Sequence, residues 1–154
     1  MCSRNIMCSR NIIFQEAYAH CRWKGNLNKF IKDENYRNKN FNDKNFKSIF
    51  IEVWKKSKNY KGVGKLSVYD ITIDICNKYN IIIDKIFIIG NGPKRAIKLL
   101  NIKPSKEKFG DIYLKYVTIP DVIEAFGDYK FDKKLSLNNG DEWESWLCNW
   151  QKNI

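Results

Sequence analysis

The chain has 154 residues, with 28 Lys and Arg against 17 Asp and Glu, a single His, a formal net charge of +11 and a pI near 9.4. Its densest apolar run, Ile81 to Ile89, is broken by Asp84 and Lys85 and falls far short of the roughly 20 residues of a membrane-spanning helix, so a bilayer span is excluded. The length suits one domain over residues 1–154, and the excess charge points to a polyanionic partner.

The chain opens on a repeat, Met1-Cys2-Ser3-Arg4-Asn5-Ile6 followed by Met7-Cys8-Ser9-Arg10-Asn11-Ile12, polar where a signal peptide has its apolar core. Residues 1–11 are therefore expected to be a disordered, duplicated start of an intracellular protein: cytoplasmic, nucleoid, nuclear or viral. Five cysteines without a tight pair suggest reduced thiols. Cys8, His20 and Cys21 match no usual zinc spacing, so no metal and no cofactor is expected.

A first helix is predicted from Ile12 to Trp23, with Phe14, Ala17, Tyr18 and Cys21 on one side and Gly25 ending it. Residues 26–45 read as a basic Lys/Asn-rich loop with scattered aromatics, Phe30, Tyr36 and Phe41. Phe46, Ile49, Phe50, Val53 and Trp54 then give a second helix a clear apolar face. Gly62 and Gly64 permit a hairpin, and a third helix restarts with Ser67 as N-cap and Asp70 three residues on. Val68, Ile71, Ile75 and Tyr79 share its inner face, while Asp70, Asp74 and Lys78 are expected to be solvated.

The segment Tyr60-Lys61-Gly62-Val63-Gly64-Lys65 between two apolar helices resembles the helix-hairpin-helix motif, whose hairpin reads hydrophobic, any, Gly, hydrophobic, Gly. Val63 matches the inward-pointing hydrophobic, and Val68 departs from the family's usual Ala. The resemblance covers about a sixth of the chain. It implies hairpin amides that bind a DNA phosphate without reading sequence, helped by neighbouring Lys or Arg.

A second Gly-x-Gly occurs in Ile89-Gly90-Asn91-Gly92-Pro93-Lys94-Arg95-Ala96-Ile97, with Asn91 replacing the expected hydrophobic and Pro93 suited to a first helical turn. If Ile81 to Ile89 is a helix, the two hairpins resemble the tandem helix-hairpin-helix domain. If this β-branched run is a strand, the glycines form a strand-to-helix phosphate loop or an ordinary turn.

Base-excision glycosylases of the helix-hairpin-helix superfamily carry a catalytic Asp shortly after the motif, and the resemblance gives Asp84 that place, with turn capping as its bland alternative. Leu66 stands where bifunctional members carry Lys, and a lone His20 with no nearby Ser or Cys nucleophile signature argues against triad chemistry. Further on, Thr118-Ile119-Pro120-Asp121 starts a helix that ends at Gly127, and Asp141 is expected to cap a last helix after Asn138-Asn139-Gly140. Trp143, Trp146, Leu147 and Trp150 form a stripe on it that either docks on the first two helices or presents a protein-partner surface.

The expectation is a compact, mainly α domain with a helix-hairpin-helix core, single or tandem, binding DNA or structured RNA through backbone phosphates, as in DNA repair or genome handling. The amides of Gly62, Val63, Gly64, Gly90, Asn91 and Gly92 carry the contact, supported by Lys61, Lys65, Lys94, Arg95 and Lys98. The alternatives are a glycosylase using Asp84, a nucleotide-binding loop at Gly90 to Arg95, and an assembly protein using Trp143, Trp146 and Trp150.

Overall fold

A computed structural model describes residues 24–154; the duplicated start, the helix expected over Ile12 to Trp23, and Cys8, His20 and Cys21 lie outside them. The elements run α1 (Lys24–Asp33), α2 (Phe46–Ser57), α3 (Lys65–Lys78), β1 (Lys85–Phe87), α4 (Asn91–Leu99), β2 (Ser105–Phe109), β3 (Ile112–Thr118), α5 (Ile119–Phe126), α6 (Gly140–Trp150) and a closing 3₁₀ turn, Gln151–Asn153. Among the described residues, six helices and a three-stranded antiparallel sheet give a mixed α/β architecture, which corrects the mainly helical expectation. The described residues group into two compact units, one ending at Ile81 and the other running Ile82–Ile154.

The regular elements of the first unit, among the described residues, are all helices. Residues 26–45, expected as a basic loop, begin inside α1, and Gly25 lies within that helix rather than ending another. Leu27, Phe30 and Ile31 fall at i, i+3, i+4 and are buried, a narrow stripe that the surrounding Lys and Asn dilute in the sequence. Tyr36 and Phe41, in the following turns, are buried too, and aromatic edges join Phe30 to Tyr36 and Phe41 to Tyr79. Asn45 begins α2 with a reciprocal capping box: its side chain accepts from the Ser48 amide at 2.8 Å while Ser48 Oγ accepts from the Asn45 amide at 3.1 Å. Phe46, Ile49, Phe50 and Val53 are buried as their spacing requires.

Helix α3 has Gly64 as its N-cap, three residues before the expected Ser67 cap. Every residue from Val68 to Cys76 is buried, so α3 is enclosed on all sides rather than amphipathic. Asp70 and Asp74, expected on a solvated face, are therefore interior.

The second unit is built on the sheet, in the order β1-β3-β2. Gly110, at φ 66, opens the two-residue turn that pairs Phe109 with Ile112, in keeping with a II′ hairpin. Thr118 caps α5 by accepting from the Asp121 amide at 3.1 Å, and Gly127 ends it at φ 59. At α6 the cap is Asn139 rather than Asp141; its side chain accepts from the amides of Asp141 and Glu142. A core of Ile86, Ile88, Ala96, Ile97, Val117, Val122, Trp143, Trp146 and Leu147 joins β1, β3, α4, α5 and α6. Cys76 is a buried free thiol.

Candidate nucleic-acid interface

The turn between α2 and α3 has the most open backbone of the sites expected from sequence. Gly62 sits at φ 87, where only a residue without Cβ is unstrained, and this reverses the chain. Val63 then points inward and is 6% exposed, and its amide donates to the Tyr60 carbonyl at 3.1 Å. That amide is used inside the turn, so Val63 anchors the loop instead of offering a donor. Gly64 follows in an extended conformation, φ −103 and ψ −167, and supplies no side-chain cap to α3. Its carbonyl accepts from the Val68 amide at 3.0 Å, the first bond of the helix. Among the described residues, no acceptor meets the amides of Gly64, Lys65, Leu66 and Ser67. These are the orphan donors of a helix start, and the macrodipole adds partial positive charge at the same point.

The turn is held from α1. Asn26 Nδ2 donates to the Lys61 carbonyl at 2.6 Å, and the Tyr60 hydroxyl donates to Asp33 Oδ2 at 2.6 Å, with the Tyr60 ring against Phe30. The hydrogen bond from Tyr60, then that from the Lys29 ammonium, holds the Asp33 carboxyl below its ordinary range. The same bond to Asp33 pushes the Tyr60 phenol up to about 12. Lys61 and Lys65 are exposed on either side of the open amides, and Lys55, Lys56 and Lys58 are exposed at the end of α2. Residues 24–81 hold 13 basic and 6 acidic side chains, a net +7.

The second diglycine has a different purpose. The segment before it is a strand, β1, preceded by a bridge from Ile83 to Asn139, so it cannot be the first helix of a second hairpin, and the tandem arrangement is overturned. The strand-to-helix alternative describes the path, with Gly90 as the N-cap of α4. Its glycines are buried, however. A Cβ on Gly92 would come within 2.3 Å of Cys148 Sγ, so Gly92 is small because α4 and α6 pack closely there. Gly90 and Pro93 are buried with it.

Lys94, Arg95 and Lys98 form the exposed face of α4 with Asn91 and Leu99, bordering a depression of about 670 Å³. Arg95 is already engaged: its guanidinium donates to the carbonyl and side-chain oxygens of Gln151 and to the Ile154 carbonyl at 3.5 Å. It fastens α4 to the C-terminal turn.

Asp84 is exposed just before β1, in the unit that does not contain the Gly62 turn. Trp143 and Trp146 are interior; their indole nitrogens donate to the Ser136 carbonyl at 2.9 Å and to Asp132 Oδ1 at 2.8 Å. The tryptophan stripe packs on α4 and β1 of its own unit, and half-buried Trp150 stacks on Trp146. Among the described residues, no cluster of side chains suits a metal, and no helix is long and apolar enough to cross a membrane.

Sequence reasoning passed over the β2–β3 hairpin, although Gly110-Asp111 between two alternating runs was its signal. Comparison of the chain with protein-family models, with curated proteins and with solved structures gave no match.

Proposed function

We propose that the protein binds duplex DNA through backbone phosphates at the Tyr60 to Lys65 turn, with little preference for sequence. One observation carries this reading: four uncapped amides, from Gly64 to Ser67, open at the start of α3 between exposed Lys61 and Lys65. A phosphate oxygen satisfies such donors and is favoured by both the helix dipole and the flanking ammonium groups. Amides and lysines read charge, not base edges, so the contact carries no sequence information. The resemblance to a single helix-hairpin-helix, with Val63 buried and both glycines at the turn, supports the same reading. At the second site Gly92 is accounted for by its close approach to Cys148, so the reading rests on the first turn.

Binding to short duplexes of unrelated sequence, followed by fluorescence anisotropy at several salt concentrations, tests this. Affinities should agree between sequences within a few-fold and fall steeply with salt, by about 0.9 in log–log slope for each phosphate contacted. Salt-insensitive or strongly sequence-selective binding refutes the mechanism.

A further inference from the structure

The exposed face of the β2–β3 hairpin is a second cationic surface, remote in sequence from the Gly62 turn. Register places Lys106 directly opposite Lys115 and Lys108 opposite Tyr113. Side chains alternate between faces of a strand, so these four share one face, with Tyr113 and Lys115 about 7 Å apart along β3. All four are exposed, and Tyr113 is 59% accessible. On the opposite face Leu114 and Phe109 are buried, and Glu107 pairs with Lys85 across the sheet. None of the three lysines has an ion-pair partner among the described residues.

Like charges directly opposite on neighbouring strands destabilise a sheet, so the Lys106–Lys115 pair opposes folding until a polyanion covers it. Protection of an edge strand accounts for Lys106 and Lys108 on β2. It does not account for Lys115 and a bare tyrosine on β3, the central strand. A flat aromatic ring ringed by ammonium groups matches a base stacked between phosphates, and a base can reach such a ring only when it is unpaired.

We infer that this hairpin face binds single-stranded nucleic acid, Tyr113 stacking on a base while Lys106, Lys108 and Lys115 hold the adjoining phosphates. The inference rests on residues of the second unit alone and does not depend on the duplex contact at Gly64.

Labelled oligothymidylate, a mixed-sequence duplex and vesicles of anionic phospholipid are the probes, applied to the full chain. Tyr113→Ala should weaken oligothymidylate binding about tenfold or more, and Tyr113→Phe should restore it. Lys106→Gln with Lys115→Gln should make the log–log salt slope for the single strand shallower by about 1.4. The same pair should raise the unfolding midpoint, because it removes the like-charge contact; a fold defect would lower it. Duplex binding should be unchanged in all these variants and reduced in Lys61→Gln with Lys65→Gln. Oligothymidylate binding that ignores Tyr113, that is lost only in the Lys61 and Lys65 variant, or that is replaced by vesicle binding dependent on Lys106 and Lys115, overturns the inference.

Discussion

Gly140 shows how one missing side chain sets the geometry of a unit. Its amide donates to the Ile83 carbonyl at 2.7 Å, and a Cβ there would lie 1.8 Å from the Lys85 carbonyl oxygen. Backbone cannot swing aside as a flexible side chain does, so the start of α6 would have to leave β1. Gly140→Ala should therefore cost roughly 3 kcal/mol, read as a lower urea midpoint at unchanged slope. A cost of a few tenths would mean that α6 and β1 are not so closely joined. At Tyr60 the residue-scale consequence is a pH dependence. The phenol's pKa is raised from 10.0 to about 12, so the Tyr60–Asp33 bond contributes fully below pH 10 and is lost as pH rises through about 12. The Asp33 carboxyl is lowered, so the same bond contributes above the ordinary carboxylate range and is lost as pH falls through the lowered value. The stability difference between the native chain and Tyr60→Phe should be a plateau at neutral pH that closes at both ends. A difference constant across the whole range would assign it to packing against Phe30 instead.

The element on which the proposed function turns is α3, and its cap separates stability from binding. Gly64 has an extended backbone that other residues adopt, and a Cβ there meets nothing within 4 Å. Gly64→Asp should therefore be accommodated, and its carboxylate should accept from the amides of the first turn, adding a few tenths of a kcal/mol to stability. The same carboxylate occupies the donors and repels phosphate, so duplex affinity should drop at least tenfold. A variant that is more stable yet binds as before would move the contact away from α3. Elements with self-contained signals were legible in the sequence: α2 through its apolar stripe, α5 through Thr118, Pro120 and Gly127, and the α2–α3 turn through Gly62, Val63 and Gly64. Helix α1 was not, because three apolar residues among Lys and Asn suffice once Phe30 and Ile31 have partners that sequence cannot name. Gly92 misled for a related reason. A glycine that cradles an anion and one that lets two helices touch are identical in sequence, and only Cys148 across the contact distinguishes them.

At the scale of the whole molecule, charge is distributed by unit. Residues 24–81 carry a net +7, whereas residues 82–154 hold 12 basic and 10 acidic side chains, a net +2. A polyanion attracted by total charge alone would respond equally to any two lysines removed. The proposed contact is local, and at physiological salt the Debye length of about 8 Å screens exposed charges that do not touch the bound phosphate. Two variants of equal net charge separate these cases: Lys61→Glu with Lys65→Glu beside the open amides, and Lys130→Glu with Lys133→Glu at exposed positions after α5. Both pairs lower the net charge by the same amount. The first should weaken duplex binding by about two orders of magnitude at moderate salt and make the salt slope shallower by about 2, one contact for each lysine. The second should change affinity by less than about threefold with an unaltered slope, because it removes charge without removing a contact. Equal losses in the two variants would reduce the interaction to diffuse attraction by a basic chain and leave the Gly64 turn without a part in it.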